Sequence, residues 1–444
     1  MTGPSGSNGR APHGLDEVVS SAPFAQAFTV CSVGTIFAIP LIRNLLGWPG
    51  VVGALCTLVL LAGVVLIGRR HYIEWRGWWP LSIFAFMAWC ALSSFWSDYT
   101  AAGFVGLGYQ IAVAIVALTI ALSRDMIQIV RAVGGVLRAL LATSLILEML
   151  SGIFFDIPIP FLSIEGNIAL GGPIQGIFVT RNMLGLMTVI ALITFVIEWR
   201  THSVDRPIAF GSIALALLCL LLSQSPVNQL LILVVLVATL ALYWLRKSSP
   251  ERRTVIQAFL LTMSVLGVVA VYLARNLIIR LLDAGSEFGV RYHLWRATWD
   301  LVKDNFLEGW GWIGAWRNDT FPYFFVNIQV DRVHGSALNA YLDVYMQVGL
   351  VGIFLFLTLC IFAFLRSWNL ASNRRSLIYT WPALVLVTLL AGSAAESHIL
   401  TGTGWFLLVV CAAKASQSQS WRQRIDAHPA GPSSAPLNHP DRID

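Results

Sequence analysis

The chain has 444 residues, of which 57% are hydrophobic and only 12% charged, with a mean hydropathy of +0.73. A soluble domain carries roughly 25% charged residues, so this composition excludes a disordered protein, a disulfide scaffold and a single-anchor enzyme; at about 20 apolar residues per crossing, the length allows roughly a dozen membrane spans and one substantial loop. Lys and Arg outnumber Asp and Glu by 29 to 23, an excess that reads as membrane topology and not as nucleic-acid binding.

A polar tail, residues 1–23, shows no short apolar core followed by a cleavage site, so no removable signal peptide is expected. Apolar windows of spanning length then begin near Phe24, Gly50, Gly77, Gly103, Ile129, Met183, Pro207, Val227 and Ile256, which predicts transmembrane helices 1–9 over residues 24–275. A loop follows at 276–337. Windows near Leu338, Ile378 and Ile399 predict helices 10–12 over 338–413, and 414–444 reads as a disordered tail. The expected fold is an all-α polytopic membrane protein with about 12 transmembrane helices. Cys31, Cys56, Cys90, Cys219, Cys360 and Cys411 all fall inside apolar runs with no Cys-x-x-Cys pair, so neither disulfides nor zinc are indicated.

Basic residues collect in the even-numbered connections: Arg69, Arg70 and Arg76; Arg124 and Arg131; Arg200 and Arg206; Arg246, Lys247, Arg252 and Arg253; Arg366, Arg374 and Arg375. Positive charge stays on the cytoplasmic side, so both termini are expected in the cytoplasm and the connections at 155–182 and 276–337 outside it. Trp78, Trp79, Trp96, Trp199, Trp244, Trp368 and Trp381 stand near predicted helix ends, as an interfacial aromatic belt requires.

Within the large loop, residues 289–302 read as an amphipathic helix with Trp295, Trp299, Val302 and Phe306 on one stripe. Arg291 shares the side of that stripe and Arg296 is turned away, so Arg291 is expected to face inward. The plain alternative is that Arg291 meets lipid phosphates or an acidic neighbour. Gly309-Trp310-Gly311-Trp312 follows, with glycines that permit a tight turn or close backbone approach to a ligand. His334 stands just before the next crossing, where an imidazole titrates near neutrality and can act as a general base toward a hydroxyl. Arg181 closes the other long loop. A guanidinium at that depth requires an anionic partner, phosphate being well suited, or snorkels to headgroups. The intramembrane charges Arg138, Glu148 and the Glu396/His398 pair are read as structural. Two arginines and a histidine of this kind suit group transfer from a membrane-borne phosphate ester.

Four ordered segments carry a resemblance: Leu92-Ser93-Ser94-Phe95-Trp96-Ser97, Gly176 to Gly185 with Arg181-Asn182 inside it, Arg291-to-Trp295 leading to Gly309-Trp310-Gly311-Trp312, and His334 to Gly352. Together they resemble the O-antigen ligase and polysaccharide polymerase superfamily of bacterial membrane proteins, nearest the exopolysaccharide polymerase-like branch. The resemblance implies a glycosyltransferase that takes glycan from a polyprenyl-diphosphate (undecaprenyl-type) carrier and passes it to a glycan or lipid acceptor at the outer face of the bacterial plasma membrane, alongside other cell-envelope polysaccharide assembly proteins. It implies no cofactor, no nucleotide sugar and no metal, in keeping with the lack of any Asp-x-Asp. By position, Arg181 and Arg291 would hold the diphosphate and His334 would activate the acceptor, with Arg296 and Arg332 in reserve.

Two departures from the family pattern stand out. Many relatives have His directly before the Asn of the last motif, where this chain has Leu338, with His334 four residues earlier, about 6 Å if the stretch is helical. The family's Ser-basic element reads Ser223-Gln224-Ser225-Pro226-Val227-Asn228 without its basic residue, a contact for which Arg317 or Arg332 could substitute. Polymerase and ligase both stay open, with polymerisation slightly favoured by the branch likeness. The rival class is a secondary transporter or lipid-linked glycan flippase, against which stand the absence of a half-to-half repeat and the sparse intramembrane charge.

Overall fold

The structure is a computed structural model that describes Gly14 and residues 19–70, 81–281 and 285–426. Arg76, Gly77, Trp78, Trp79, Asp283 and residues 427–444 lie outside the described residues. Every sequence window leads into a helix: α1 (Ala22–Phe37), α2 (Ile39–Gly68), α3 (Leu81–Ser93), α4 (Thr100–Ser123), α5 (Met126–Met149), α6 (Arg181–Arg200), α7 (Arg206–Ser223), α8 (Pro226–Lys247) and α9 (Pro250–Leu273). After them come α10 (Arg275–Leu281), α11 (Gly285–Asp304), α12 (Tyr323–Val330), α13 (Ala340–Asn373), α14 (Thr380–Gly392) and α15 (Gly402–Asp426), the last running into the segment expected to be disordered. Among the described residues eight helices are long and apolar enough to cross a membrane, with shorter apolar helices beside them, so the chain is an all-α polytopic membrane protein.

The helices form one bundle with α6 as its central post, buried along nearly its whole length between α5, α7 and α14. Chain termini of alternate helices gather the basic residues at one end. There Arg246 donates to the Ala371 and Arg375 carbonyls (both 2.6 Å) and Arg253 to Asn373 Oδ1 (2.8 Å), so the arginines close helix ends as well as mark them. Trp244 is exposed near this end, whereas Trp381, expected in the aromatic belt, is fully buried and donates to Thr194 Oγ1 at 3.0 Å. Its indole N–H finds a partner inside the bundle, which is what makes complete burial affordable.

At the opposite end a second apolar core sits apart from the bundle core. Leu294, Leu301, Val302, Trp316, Tyr323 and Met346 pack together, joining α11, α12 and the start of α13 into a cap. The buried face of α11 runs through Arg291, Leu294, Thr298 and Leu301, while Trp299 and Phe306 are about half exposed. The expected aromatic stripe is therefore rotated: Val302 is inside, but the indoles line the outer edge of the helix, where Trp295 Nε1 reaches the Ala337 carbonyl (3.0 Å) and Trp299 packs edge-on against Tyr345.

Cap and bundle are spliced at a kink. Val348 and Gly349 leave helical geometry inside α13 (Gly349 φ 65°) and so release the carbonyls before them. The Gly309-Trp310-Gly311-Trp312 segment supplies the missing donors: Trp310 N–H to Met346 O (3.0 Å) and Gly311 N–H to Gln347 O (2.7 Å), while Trp89 Nε1 takes Val348 O (2.9 Å). A Cβ on Gly309 would meet the Gly349 and Gln347 backbone, and one on Gly349 the Leu307 and Glu308 backbone. These glycines thus serve a backbone-to-backbone approach within the protein and not, as the sequence allowed, an approach to a ligand.

Candidate functional site

The site is built at the cap end from three chain segments. The first is the Gly176–Gly185 stretch. Buried Glu148, at the end of α5, accepts from the backbone N–H groups of Gln175 (2.9 Å) and Gly176 (2.7 Å), and Gly176 (φ 53°) lies so close on Ser144 that no side chain fits. The chain then enters α6 with Thr180 as N-cap, its hydroxyl accepting from Met183 N–H (3.2 Å), which puts Arg181 and Asn182 in the first turn. Ser225, the N-cap of α8, donates to Asn182 Oδ1 (2.7 Å), and Asn228 donates to the Asn182 carbonyl (2.9 Å) across the space that Gly185 leaves. The Ser223–Asn228 element, without its basic residue, thus serves to hold Asn182.

The second segment is the start of α11 and the third is the turn after α14. Glu287 joins two arginines, one carboxylate oxygen on Arg181 and the other on Arg291 Nη1 (3.1 Å). Arg291 also donates through Nη2 to Glu396 (2.8 Å) and through Nε to the Ala395 carbonyl (3.3 Å). Glu396 receives a further hydrogen bond from Asn182 Nδ2 (2.6 Å) and has His398 Nε2 at 3.6 Å. The cluster grades outward: the Arg291 and Glu396 side chains are each 9% exposed, Glu287 22% and Arg181 35%. Behind it the helices leave only a crevice of about 10 Å³ lined by Asn182, Asn228, Ser393, Glu396 and His398, room for about one water and no substrate. The open side is that of Arg181 and Glu287.

Arg291 faces inward, as the helical geometry of α11 requires, and meets acidic neighbours. Arg181 is brought to it through Glu287. Glu396, read from the sequence as structural, is instead a member of this cluster. The intramembrane Arg138 and Glu148 stay outside it: Arg138 pairs with Glu198 and donates to Ser212 Oγ (2.7 Å). Arg296 is exposed on the far face of α11, and Arg317 forms an exposed pair with Asp319 (3.0 Å), so neither reaches the cluster.

His334 lies on the irregular stretch between α12 and α13, held through its backbone by Asn327 (His334 N–H to Oδ1, 2.9 Å). Helix begins only at Ala340, so the helical-turn relation between His334 and position 338 does not hold. Leu338 instead adopts a left-handed conformation (φ 49°), one in which His, Asn and Asp are enriched. The His334 Nε2 is buried without a hydrogen-bond partner among the described residues. Burial lowers the pKa of this imidazole, the charges of Arg332 and Arg291 lower it further, and Glu396 opposes them. His334 is thus electrostatically coupled to the cluster and neutral at neutral pH. Exposed Arg332 acts on it through space.

The rest of the last motif fastens the cap. Asn339 caps α13, accepting from Tyr341 and Leu342 N–H, and fully buried Asp343 accepts from Trp316 Nε1 (2.7 Å) and Gln347 Nε2 (2.9 Å). Gln347 Oε1 in turn accepts from Ile313 and Gly314 N–H (2.9 and 3.0 Å). Residues 210–357, which span α7 through the first half of α13 and include Glu287, Arg291 and His334, match the family model of the O-antigen ligases. The match supports a place for the chain in the O-antigen ligase and polymerase superfamily. No curated protein sequence matches it. Arg181 and Glu396 lie outside the matched segment and join it through the ionic cluster. Sequence reasoning missed Glu287, although its place four residues before Arg291 was a readable signal, and it missed Asn182, Ser225 and Asn228, whose roles depend on contacts between distant helices.

Proposed function

We infer that the protein is a membrane glycosyltransferase of the O-antigen ligase/polymerase type, moving glycan from a polyprenyl-diphosphate carrier to an acceptor hydroxyl at the outer face of the bacterial plasma membrane. The observation that carries this reading is Glu287 bound by two arginines from α6 and α11: an oxyanion with one oxygen on each guanidinium is the arrangement a diphosphate would take in its place. In the reaction the acceptor oxygen bonds to the anomeric carbon, the bond from that carbon to the diphosphate oxygen breaks, and the departing charge falls to Arg181 and Arg291. The hydroxyl proton passes to the half-buried His334 imidazole, whose lowered pKa keeps it in the accepting form. The basic end of the bundle, with Arg124, Arg200, Arg246 and Arg374, supports a topology with both termini in the cytoplasm and the cap outside.

Polymerisation is the favoured form of the reaction and ligation to a lipid or protein acceptor the second. The test supplies purified protein in nanodiscs with a polyprenyl-diphosphate oligosaccharide and sizes the products on a gel. A ladder of repeat lengths that His334→Ala removes is expected for a polymerase. Release of free polyprenyl diphosphate only on addition of a separate acceptor identifies a ligase, and neither product from a native donor and acceptor rejects the transferase.

A further inference from the structure

On the far side of α11 from the ionic cluster, the helix and the first turns of α13 flank a shallow, open groove of about 710 Å³, within the roughly 300–1,000 Å³ of small-molecule sites. Its walls are mainly aromatic, with Trp295 and Trp299 from α11 and Tyr341 and Tyr345 from α13, beside the aliphatic Leu342 and Ile353. Trp299 is 48% exposed although it stacks edge-on with Tyr345 at 5.9 Å, so a ring face stays open to whatever enters. The polar groups stand along the rim: Arg296, Asp300, Lys303 and Asn339. Asp300 and Lys303 pair at 2.6 Å on the surface. Asn339 uses its carbonyl to cap α13, and among the described residues its Nδ2 has no partner.

We propose that this groove binds the saccharide chain of a substrate, stacking sugar rings on Trp299 and Tyr345 while Arg296, Asp300 and Asn339 exchange hydrogen bonds with their hydroxyls. The chemistry selects a carbohydrate over an acyl chain. A pyranose presents a flat face of C–H groups edged by hydroxyls that both donate and accept, which calls for aromatic faces bordered by donors and acceptors together; a hydrocarbon chain has no use for a carboxylate, an amide and a guanidinium along one edge. The placement agrees. Trp295 is one helical turn from Arg291, and its indole N–H holds the Ala337 carbonyl of the stretch that carries His334, so a chain in the groove runs toward the reacting end. The assignment of this chain as part of a transferase substrate rests on the function inferred above; the binding itself does not. It also gives Arg296, which reaches neither arginine nor base, a role in holding sugar and not diphosphate.

The test uses the full chain in detergent and in nanodiscs, with lipid-free oligosaccharides of increasing length cut from the envelope polysaccharide of the source organism. Calorimetry measures affinity and saturation-transfer NMR reads which sugar protons touch the protein. Binding that tightens with length is expected, with transfer to ring C–H protons. Trp299→Ala should weaken it about ten-fold, equivalent to about 1.4 kcal/mol and in the range of one lost aromatic contact; Trp299→Phe should retain most of it, and Phe306→Ala, in the turn just after the same helix and outside the groove, should leave it unchanged. Absence of binding by the native protein, equal binding by Trp299→Ala as a folded protein, or binding in detergent that vanishes in nanodiscs because lipid fills the groove would each overturn the proposal. Oligosaccharide binding without any release of polyprenyl diphosphate from a lipid-linked donor would instead reject the transferase reading and leave the groove standing.

Discussion

Two buried ionic groups in this molecule invite comparison. Arg138 and Glu198 join α5 to α6 with one acid, one base and a hydroxyl, and the guanidinium lies over the Phe195 ring at 4.9 Å. The cap-end cluster holds two arginines, two glutamates and Asn182 from α6, α11 and the turn after α14, and its members range from buried to a third exposed. A pair closed between neighbouring helices fixes their packing and offers nothing to a ligand. In the cluster Glu287 is the outermost acid and the link between both arginines, so an incoming anion can replace it without stripping Arg291 of Glu396. Exchangeability, and not burial or charge alone, separates a site from a brace.

The sharpest way to break that comparison is to remove Arg291. Arg291→Ala is expected to cut transfer roughly 10²–10³-fold, the usual loss for a group that stabilises developing negative charge, and to destabilise the fold by roughly 3–5 kcal/mol by leaving Glu396 buried without its cation. Arg291→Lys keeps the charge and much of the stability but loses the forked geometry, so a folded but nearly inactive lysine variant is the expected outcome. Polyprenyl-diphosphate release and thermal unfolding, measured side by side, check both. A lysine variant of native activity would mean that charge alone suffices there.

The brace should behave in the opposite way. Arg138→Leu alone is expected to cost roughly 3–5 kcal/mol through stranded Glu198, and Arg138→Leu with Glu198→Leu to recover most of it, since apolar pairs often replace buried ion pairs without loss. Turnover per folded molecule should stay within about two-fold in the double variant, an effect of less than about 0.5 kcal/mol. Loss of turnover in a stable double variant would erase the distinction drawn above and revive a transport role for the intramembrane charges.

Much of this architecture was legible in the sequence because a bilayer enforces it. Each window of apolar residues became a helix, and basic residues gathered at one end, since hydrocarbon tolerates neither open backbone nor stray charge. Arg291 does turn inward, although the aromatic stripe from which that was expected does not. What escaped was set by contacts between remote segments. Gly309 and Gly311 read as glycines for a tight turn or a ligand's approach, and their partner is the α13 kink, itself unreadable from Gln347-Val348-Gly349 alone. Glu396 read as a structural charge in an apolar run, and only the return of the chain after α14 sets it on Arg291 and Asn182. The aromatic stripe failed because periodicity gives a spacing but not which flank of the stripe faces the core.

Within the cluster, Glu287→Gln sharpens the case for exchange. Removing the carboxylate charge frees both arginines from an internal competitor, and a partly exposed ion pair contributes roughly 0.2–1 kcal/mol. Inorganic diphosphate, titrated as an inhibitor, is therefore expected to bind up to about five-fold more tightly to this variant. Weaker inhibition would make Glu287 a required scaffold and not a placeholder.

The smallest expected effect is a shift in the titration of His334. The neutral imidazole is the accepting form, and its pKa sits below the ordinary value of about 6.5 because of burial first, then Arg332 and Arg291, against Glu396. The rate should thus fall on acidification with a midpoint below about pH 6.5. Exposed Arg332 is the one contributor among these that can be neutralised without disturbing the buried cluster. Arg332→Gln removes a cation that opposes protonation, so the acid limb must move upward, by a few tenths of a unit for a solvent-screened charge, with the plateau rate kept. The pH–rate profiles of the two proteins decide it. An acid limb that stays in place in Arg332→Gln would mean that the titrating group is not His334, and that the base which takes the acceptor's proton stands elsewhere on the cap.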